Sequence, residues 1–593
     1  MLRAIKSGLV VGTAMAAVFG ALGFDASRLM AQDGRIPEAE KAGFQTLRSD
    51  SLKADLTYVA SDALEGRMSL APGDAKAIGW IADAFAKAGL EPAAMGVDGK
   101  PSYLQTFKLV EYRADRGAFA LTLKRGAKSG HDEEVVFHAP EAMGAYKKAV
   151  DVTAPVVFAG YGITAPELKY DDYTHLDAKG KIVLVFDHEP QEEDAHSIFN
   201  GTGLTRYATS RVKLLNAQAH GAVAVILVAE PNRHHLTNAE RAAKIGVGGT
   251  GGTGTRAVPL PAQAIQDDEL HIPLVLVQDA VAAKILDGVG ATPSELQAGI
   301  DKDLKPRSRV VKGAQVTIHM RNASERVGET SNVAALLEGS DPALKAETVM
   351  ITAHHDHDGA AHCAEGKGGV DENGKSTPSG PECMDIWHGA DDNGSGTVGV
   401  VALARAFAAN ADGVHGVRPK RSVLFVVFAS EERGLLGAYW MAAHPVRPLA
   451  TTRAQINFDM IGRDEKASPQ TDGLIEIPAD TSNRLNLIGA LYSPSYDRVV
   501  KEEDKSIGLV LDDRFDHESA LNVFFRSDQF PFVLKNIPAF WWFTGFHPDY
   551  HHTTDTVEKI DFTKMTKILE LAYLTAWRFG SDARTPVFVG NPK

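Results

Sequence analysis

The chain has 593 residues, too many for one ordinary core, so two or more domains are expected. Hydrophobic residues make up 44% and charged residues 23%, which excludes a disordered or fibrous chain. With 62 basic against 76 acidic side chains the net charge is −14, and no basic clustering marks a nucleic-acid-binding surface.

The first residues read MLRAIKS and run into a small, apolar, uncharged stretch over residues 8–23. A basic start followed by a short apolar run is a signal-peptide pattern. We assign it to residues 1–31, which implies an exported protein, periplasmic or secreted. The run is short for a membrane span, which needs about 20 apolar residues. Residues 52–64 then read as a helix. Residues 74–87 are a clearer one, with Ile78, Ile81, Ala82 and Phe85 on one face and Gly89 as the stop. Residues 119–123 and 135–137 read as strands.

From about Val152 the texture changes to short β-runs at 155–162, 181–186, 222–228 and 272–277, with a helix at 211–219. This predicts a separate α/β module over residues 152–315. Within it, residues 246–255 read GVGGTGGTGT. A phosphate-cradling loop needs a following helix and usually a lysine, whereas Pro259 and Pro261 follow here, so the stretch reads as a surface loop. Further on, apolar strands at 349–352, 423–429, 456–460 and 538–543 alternate with helices at 397–408, 434–443 and 564–579. Such alternation predicts an α/β fold, a sheet with helices on both faces.

The chemistry-bearing residues follow these apolar runs, and sites in open α/β sheets form outside the carboxyl ends of strands. The strand at 349 opens into HHDHDG, which carries His354, His355, Asp356, His357 and Asp358. On an extended chain His354 and Asp356 share a side, and His355 and His357 point the other way. Asp392 lies in GADDNGSG at the mouth of a predicted helix, where it could also be an N-cap. Glu431 and Glu432 close the strand VLFVVFAS, and two adjacent glutamates repel unless something positive is near. Asp459 interrupts the apolar run INFDMIG, and a buried unpaired carboxylate is costly. His551 lies in DYHHTTDT. Together these imply a metal site.

In order and context, HHDHDG, GADDNGSG, ASEERGLLGA, NFDMIGR and YHHTTDT resemble the motifs of the M28 family of zinc peptidases, over most of residues 50–580. Residues 152–315 resemble the protease-associated (PA) domain that many members carry as an insertion. The resemblance implies one peptidase domain, of mixed sheet flanked by helices, built from residues 50–151 and 316–593. It implies two zinc ions per chain, with His354 and Asp459 on one, Glu432 and His551 on the other, and Asp392 bridging. Glu431 matches the catalytic base and Asp356 the residue that orients the ligand histidine. The implied substrates are peptides with a free N-terminus, so an aminopeptidase is the leading reading. Carboxypeptidases, dipeptidases, glutaminyl cyclases and non-catalytic receptors share the scaffold and stay open as alternatives. Some relatives supply an oxyanion donor from a tyrosine three residues before the Ser-Asp motif. Phe524 stands there in this chain, before Ser527 and Asp528, which leaves Arg526 and Tyr550 as candidates.

The only two cysteines, Cys363 and Cys383, lie between His357 and Asp392, in an insertion expected to fold over the site. A nearby pair in an exported protein favours a disulfide. Closing a loop of about 20 residues is worth about 3 kcal/mol in the chain-entropy model. Mass spectrometry of mature protein without reductant should find both thiols blocked. Two free thiols would refute the bridge.

Overall fold

Strands rich in apolar residues need both faces covered, and the chain places them at the middle of its larger sheet. In the computed structural model, which describes residues 36–126, 133–201, 203–233, 260–362, 384–411, 417–468, 470–518 and 520–590, the strands Ser422–Phe428 and Thr348–His354 are buried at every position. They pair in parallel with each other, and Thr348–His354 also pairs in parallel with Thr452–Phe458, which pairs in parallel with Ala539–Phe543. Continuous apolar runs of this kind are what a doubly covered parallel sheet requires. Alternate side chains go to opposite faces. Val349, Ile351, Phe425 and Val427 meet the helices Gly396–Ala411 and Phe562–Ser581 on one face. Met350, Leu424, Val426 and Phe428 pack on the other with Leu436–Ala443 and Phe530–Val533.

Antiparallel strands flank this parallel centre. On one side Asn322–Leu337 pairs with Ser422–Phe428, and Leu104–Ala114 follows. On the other, Arg484–Ile488 pairs antiparallel with Ala539–Phe543. The result is a mixed sheet between helices.

A second sheet of eight strands forms the smaller α/β unit. Its parallel core is Val150–Phe158, Ile182–Phe186, Ala224–Val228 and Leu274–Val277, joined antiparallel to Arg309–Met320. Several strand memberships differ from the expected division at residues 152 and 315. Ala120–Arg125 and Glu133–Phe137, assigned from sequence to the first segment, bond into this second sheet beside Arg309–Met320. Ala262–Ile265, from inside the expected module, instead pairs antiparallel with Leu104–Ala114 at the edge of the larger sheet. Short strands carry no mark of their partner, so sequence texture placed them by proximity alone. The signal-peptide assignment, residues 246–255 and both cysteines lie outside the described residues. No described helix is long and apolar enough to cross a membrane.

The feet of the three central strands are tied together. Glu347, just before Thr348–His354, accepts hydrogen bonds from Arg421 Nε and Arg453 Nη2, each at 2.5 Å. Arg421 precedes Ser422–Phe428, and Arg453 belongs to Thr452–Phe458. The hydrogen bond from Arg453, with help from Arg421, holds the Glu347 carboxyl down from 4.5 to about 2. A depressed carboxyl contributes stability above its unfolded value, and that stability fades as pH falls through the folded one. Glu347→Gln should therefore lower stability to urea at pH 7, by about 1–2 kcal/mol after solvent screening. The difference from wild type should narrow as pH drops from 4.5 towards about 2. Equal urea midpoints at pH 7 would show that the clamp contributes nothing.

Candidate metal centre

The three strands so tied at their feet end together at the other edge of the sheet. Thr348–His354 finishes on His354 itself. Ser422–Phe428 leads through a turn to Glu431 and Glu432, and Asp459 follows directly after Thr452–Phe458. Asp392 comes from the turn that opens helix Gly396–Ala411, and His551 from the loop beyond Ala539–Phe543. All six are brought to one place. His354 Nε2 lies 3.5 Å from Asp392 Oδ1, 3.6 Å from Asp459 Oδ2 and 3.7 Å from Glu431 Oε2. His551 Nε2 lies 2.9 Å from Asp392 Oδ2 and 3.2 Å from Glu432 Oε2. Asp392 thus turns one oxygen to each half of a double cluster.

The backbone around these groups is held by buried polar side chains. Asp356 accepts from the backbone N–H of Glu431 at 2.9 Å and of Glu432 at 3.3 Å, and its Oδ1 stands 3.7 Å from His354 Nδ1. One carboxylate therefore couples the histidine strand to the paired glutamates. Asp555 accepts from the N–H groups of Asp391 and Asp392 at 2.9 and 3.1 Å, so the loop that carries His551 also fixes the bridging turn. The peptide bond between Asp392 and Asn393 is cis. Ser527 Oγ donates to Asp459 Oδ2 at 2.6 Å. The turn before Glu431 passes through Ser430 in the left-handed region, φ 55°. Ser430 is held by Ser69 Oγ at its N–H, and its hydroxyl donates to Gln263 Oε1 at 3.3 Å. Gln263 lies on the strand that the inserted segment adds to the larger sheet, so that strand reaches the residue beside Glu431.

Two residues at the centre escape the sequence pattern. His357 was expected to point away, yet its Nδ1 lies 2.6 Å from Glu432 Oε1. The strand ends at His354, so two-residue alternation stops there and gives no direction for His357. His355 does turn away, towards Asp74 at 3.3 Å. Asp358 lies 3.6 Å from His551 Nδ1 and pairs with Arg433 at 3.1 Å. Both His357 and Asp358 stand in the HHDHDG run, and that run was the available signal. Arg67 had none. It is fully buried, and its guanidinium donates to the carbonyls of His355, Val59, His388 and Gly389 at 2.7–2.9 Å. It thereby braces both the end of the histidine strand and the start of the Asp392 turn. Burial lowers its pKa to about 10, against the pull of the carboxylates of Asp392 and Asp356.

The electrostatics of the cluster call for a cation. Burial pushes the Asp392 carboxyl well above the usual range, with Glu432 and Asp459 adding to it. Burial does the same to Glu431, and lifts Glu432 to about 7. His354 Nε2 is buried without a hydrogen-bond partner, although three carboxylate oxygens surround it at 3.5–3.7 Å. An imidazole nitrogen facing carboxylates without a shared hydrogen bond is the arrangement in which a metal sits between them. The donor set of imidazole and carboxylate suits zinc. Three groups of donors qualify here: His354, Asp392 and Asp459; His357, Asp392 and Glu432; and Asp358, Glu432 and His551. The first two groups share Asp392 and the last two share Glu432, so Asp392 joins the His354 side to the side that carries Glu432 and His551.

This site stands where known proteins match. Residues 332–576 match the model of peptidase family M28, and residues 152–285 that of the PA domain. Residues 332–576 are thus a peptidase family M28 domain, and residues 152–285 a PA domain. Leucine aminopeptidase 2 of Trichophyton rubrum is 26% identical over 303 residues, which cover 48% of this chain and 54% of that one. Leucine aminopeptidase 2 of Arthroderma otae is 26% identical over 219 residues, covering 33% and 40% respectively. The chain thus spans about half the length of the curated relatives it matches. The solved aminopeptidase from Aneurinibacillus sp. strain AM-1 superposes with a TM-score of 0.45 at 17% identity, covering 93% of this chain and 97% of that one.

Arg67→Met should test the brace. It leaves four buried carbonyls without their donor, at a cost of about 3 kcal/mol or more. The expected result is a lower melting midpoint together with faster loss of zinc on dialysis. Unchanged zinc retention would show that Arg67 supports only the fold.

Proposed function

We propose that the protein is an exported dizinc metallopeptidase, acting as an aminopeptidase on peptides with a free N-terminus. The observation that carries this reading is Asp392, whose two oxygens face two separate sets of ligand atoms. His354 and Asp459 would hold one zinc, Glu432 and His551 the other, and Asp392 both. Bound there, the two ions would polarise the scissile carbonyl and lower the pKa of the attacking water. Activity on a free N-terminus is supported by the leucine aminopeptidases among the relatives.

The chain's own groups do the rest. Glu431 takes a proton from the water and returns it to the leaving amine. Its place beside His354 is kept by Asp356, which holds its N–H, and by the Ser430 turn. Tyr550 is the oxyanion donor in this reading. Its ring packs on His551 with centroids 3.9 Å apart, and its hydroxyl accepts from Arg526 at 3.3 Å. Phe524 packs against Tyr492 and Phe530 and offers no hydroxyl. A preorganised donor aimed at the developing charge supplies transition-state stabilisation that water would not.

Glu431→Gln keeps shape and removes the proton acceptor. It should cut turnover by about 10²–10⁴-fold while zinc content stays at the wild-type level. Glu432→Gln should instead lose one zinc. The reverse pattern of zinc loss would exchange the two roles, and full activity in both variants would place the peptidase site elsewhere. A panel of chromogenic amino-acid amides, free and N-blocked, tests the direction of attack. Cleavage of the free forms alone supports an aminopeptidase. Cleavage confined to blocked peptides with a free C-terminus would make it a carboxypeptidase.

A further inference from the structure

A separate group of ligating side chains lies in the smaller unit, outside the site above. The strands Ile182–Phe186 and Ala224–Val228 are parallel neighbours, in register from Ile182 opposite Ala224 to Phe186 opposite Val228. His188 stands two residues beyond the first strand and Glu230 two beyond the second, so both emerge at the carboxyl ends of adjacent parallel strands. That is where open α/β sheets place their ligands. Glu192 returns to the same point from the following turn. His188 Nδ1 lies 3.1 Å from Glu230 Oε2 and 3.5 Å from Glu192 Oε2. One ligand atom from each of the three falls within 4.8 Å of the others. The side chains are 9%, 2% and 1% exposed for His188, Glu192 and Glu230. These separations are no longer than those around His354, which lie at 3.5–3.7 Å.

The surroundings hold the three donors in place. Arg233 Nη1 pairs with the other oxygen of Glu230 at 2.8 Å and lies 3.6 Å from Glu192 Oε2, while its Nη2 reaches Asp301 at 3.0 Å. The buried Lys213 ammonium donates to the carbonyls of His188 and Tyr161 at 2.5 and 2.6 Å, which fixes the His188 backbone. Two carboxylates and an imidazole gathered out of water need positive charge among them. Arg233 meets one edge of the group, and the face between Nδ1 and the two glutamates is of coordination size.

We propose that His188, Glu192 and Glu230 bind a third divalent metal ion, in a structural site of the PA domain. An imidazole nitrogen with two carboxylates suits zinc or a similar borderline ion, whereas calcium and magnesium favour oxygen donors alone. The site stands at the root of the segment over residues 187–208. The far end of that segment is fastened to the peptidase body. Arg206 N donates to Tyr492 Oη at 3.0 Å, and Arg206 Nη1 donates to Asn536 Oδ1 at 2.6 Å. In between, Glu189 accepts from the backbone of Thr205 at 2.9 Å. A metal at the root would hold the segment in the shape that joins the two units, without touching the peptidase centre.

Zinc chloride alone is the probe. Wild type and Glu192→Gln, each loaded with zinc and desalted, should differ by one zinc per chain on elemental analysis, with peptidase turnover within about twofold. His188→Gln should show the same loss. Zinc loading should raise the melting midpoint of wild type more than that of either variant. Equal zinc content in wild type and a folded variant would overturn the proposal and leave His188 as a proton-bearing partner of the two glutamates. If neither variant folds, zinc-edge anomalous diffraction from wild-type crystals decides. A peak beside His188 Nδ1 supports the site, and its absence overturns it. Neither outcome bears on the centre at Asp392.

Discussion

The structure depends on gathering like charges where water is scarce. Asp392, Glu431, Glu432 and Asp459 converge within reach of His354 and His551 at the ends of buried strands. Burial raises the proton affinity of Asp392 and Glu431, and the neighbouring carboxylates add to it. Left alone, Asp392, Glu431 and Glu432 would tend to take up protons. A divalent cation between them reverses that balance, because each carboxylate then gains more from the charge than it loses by burial. The cation requirement and the buried parallel strands therefore belong to one design. The strands supply rigid points of departure, and the ion makes their convergence tolerable.

Rigidity is built at both edges of the sheet. Glu347, Arg421 and Arg453 tie the feet of the three central strands. At the other edge Asp356, Asp555 and Arg67 hold backbone groups rather than ligands, so they fix where each ligand-bearing turn lies. Sites that must be accurate to a fraction of an ångström need such supporting contacts. The PA insertion takes part as well. Its strand Ala262–Ile265 completes the edge of the larger sheet and carries Gln263 to the Ser430 turn beside Glu431. The insertion is thus part of the scaffold of the centre.

Much of this was legible in the sequence, for physical reasons. The central strands are built on apolar runs such as VLFVVF, which burial on both faces favours. The acids and imidazoles stand directly after those runs, so strand ends and donors could be read together. The sequence was silent where an outcome depends on long-range pairing. Nothing in Ala120–Arg125 tells that it will bond beside Arg309–Met320, nearly two hundred residues on. His357 was misjudged because alternation holds only while the strand lasts, and the strand stops three residues earlier. Arg67 is a single basic residue in a polar turn, and three of its four carbonyl partners, on His355, His388 and Gly389, lie far along the chain.

The central claim is that one carboxylate serves both halves of the centre. Zinc content after loading and desalting, compared between wild type, Asp459→Asn and Asp392→Asn, tests it most directly. Asp459 faces only the His354 half, so its loss should remove one ion per chain. Asp392 faces both halves, so its loss should remove two. If Asp392→Asn gives up no more zinc than Asp459→Asn, the two halves are not joined through Asp392 and the dinuclear account fails.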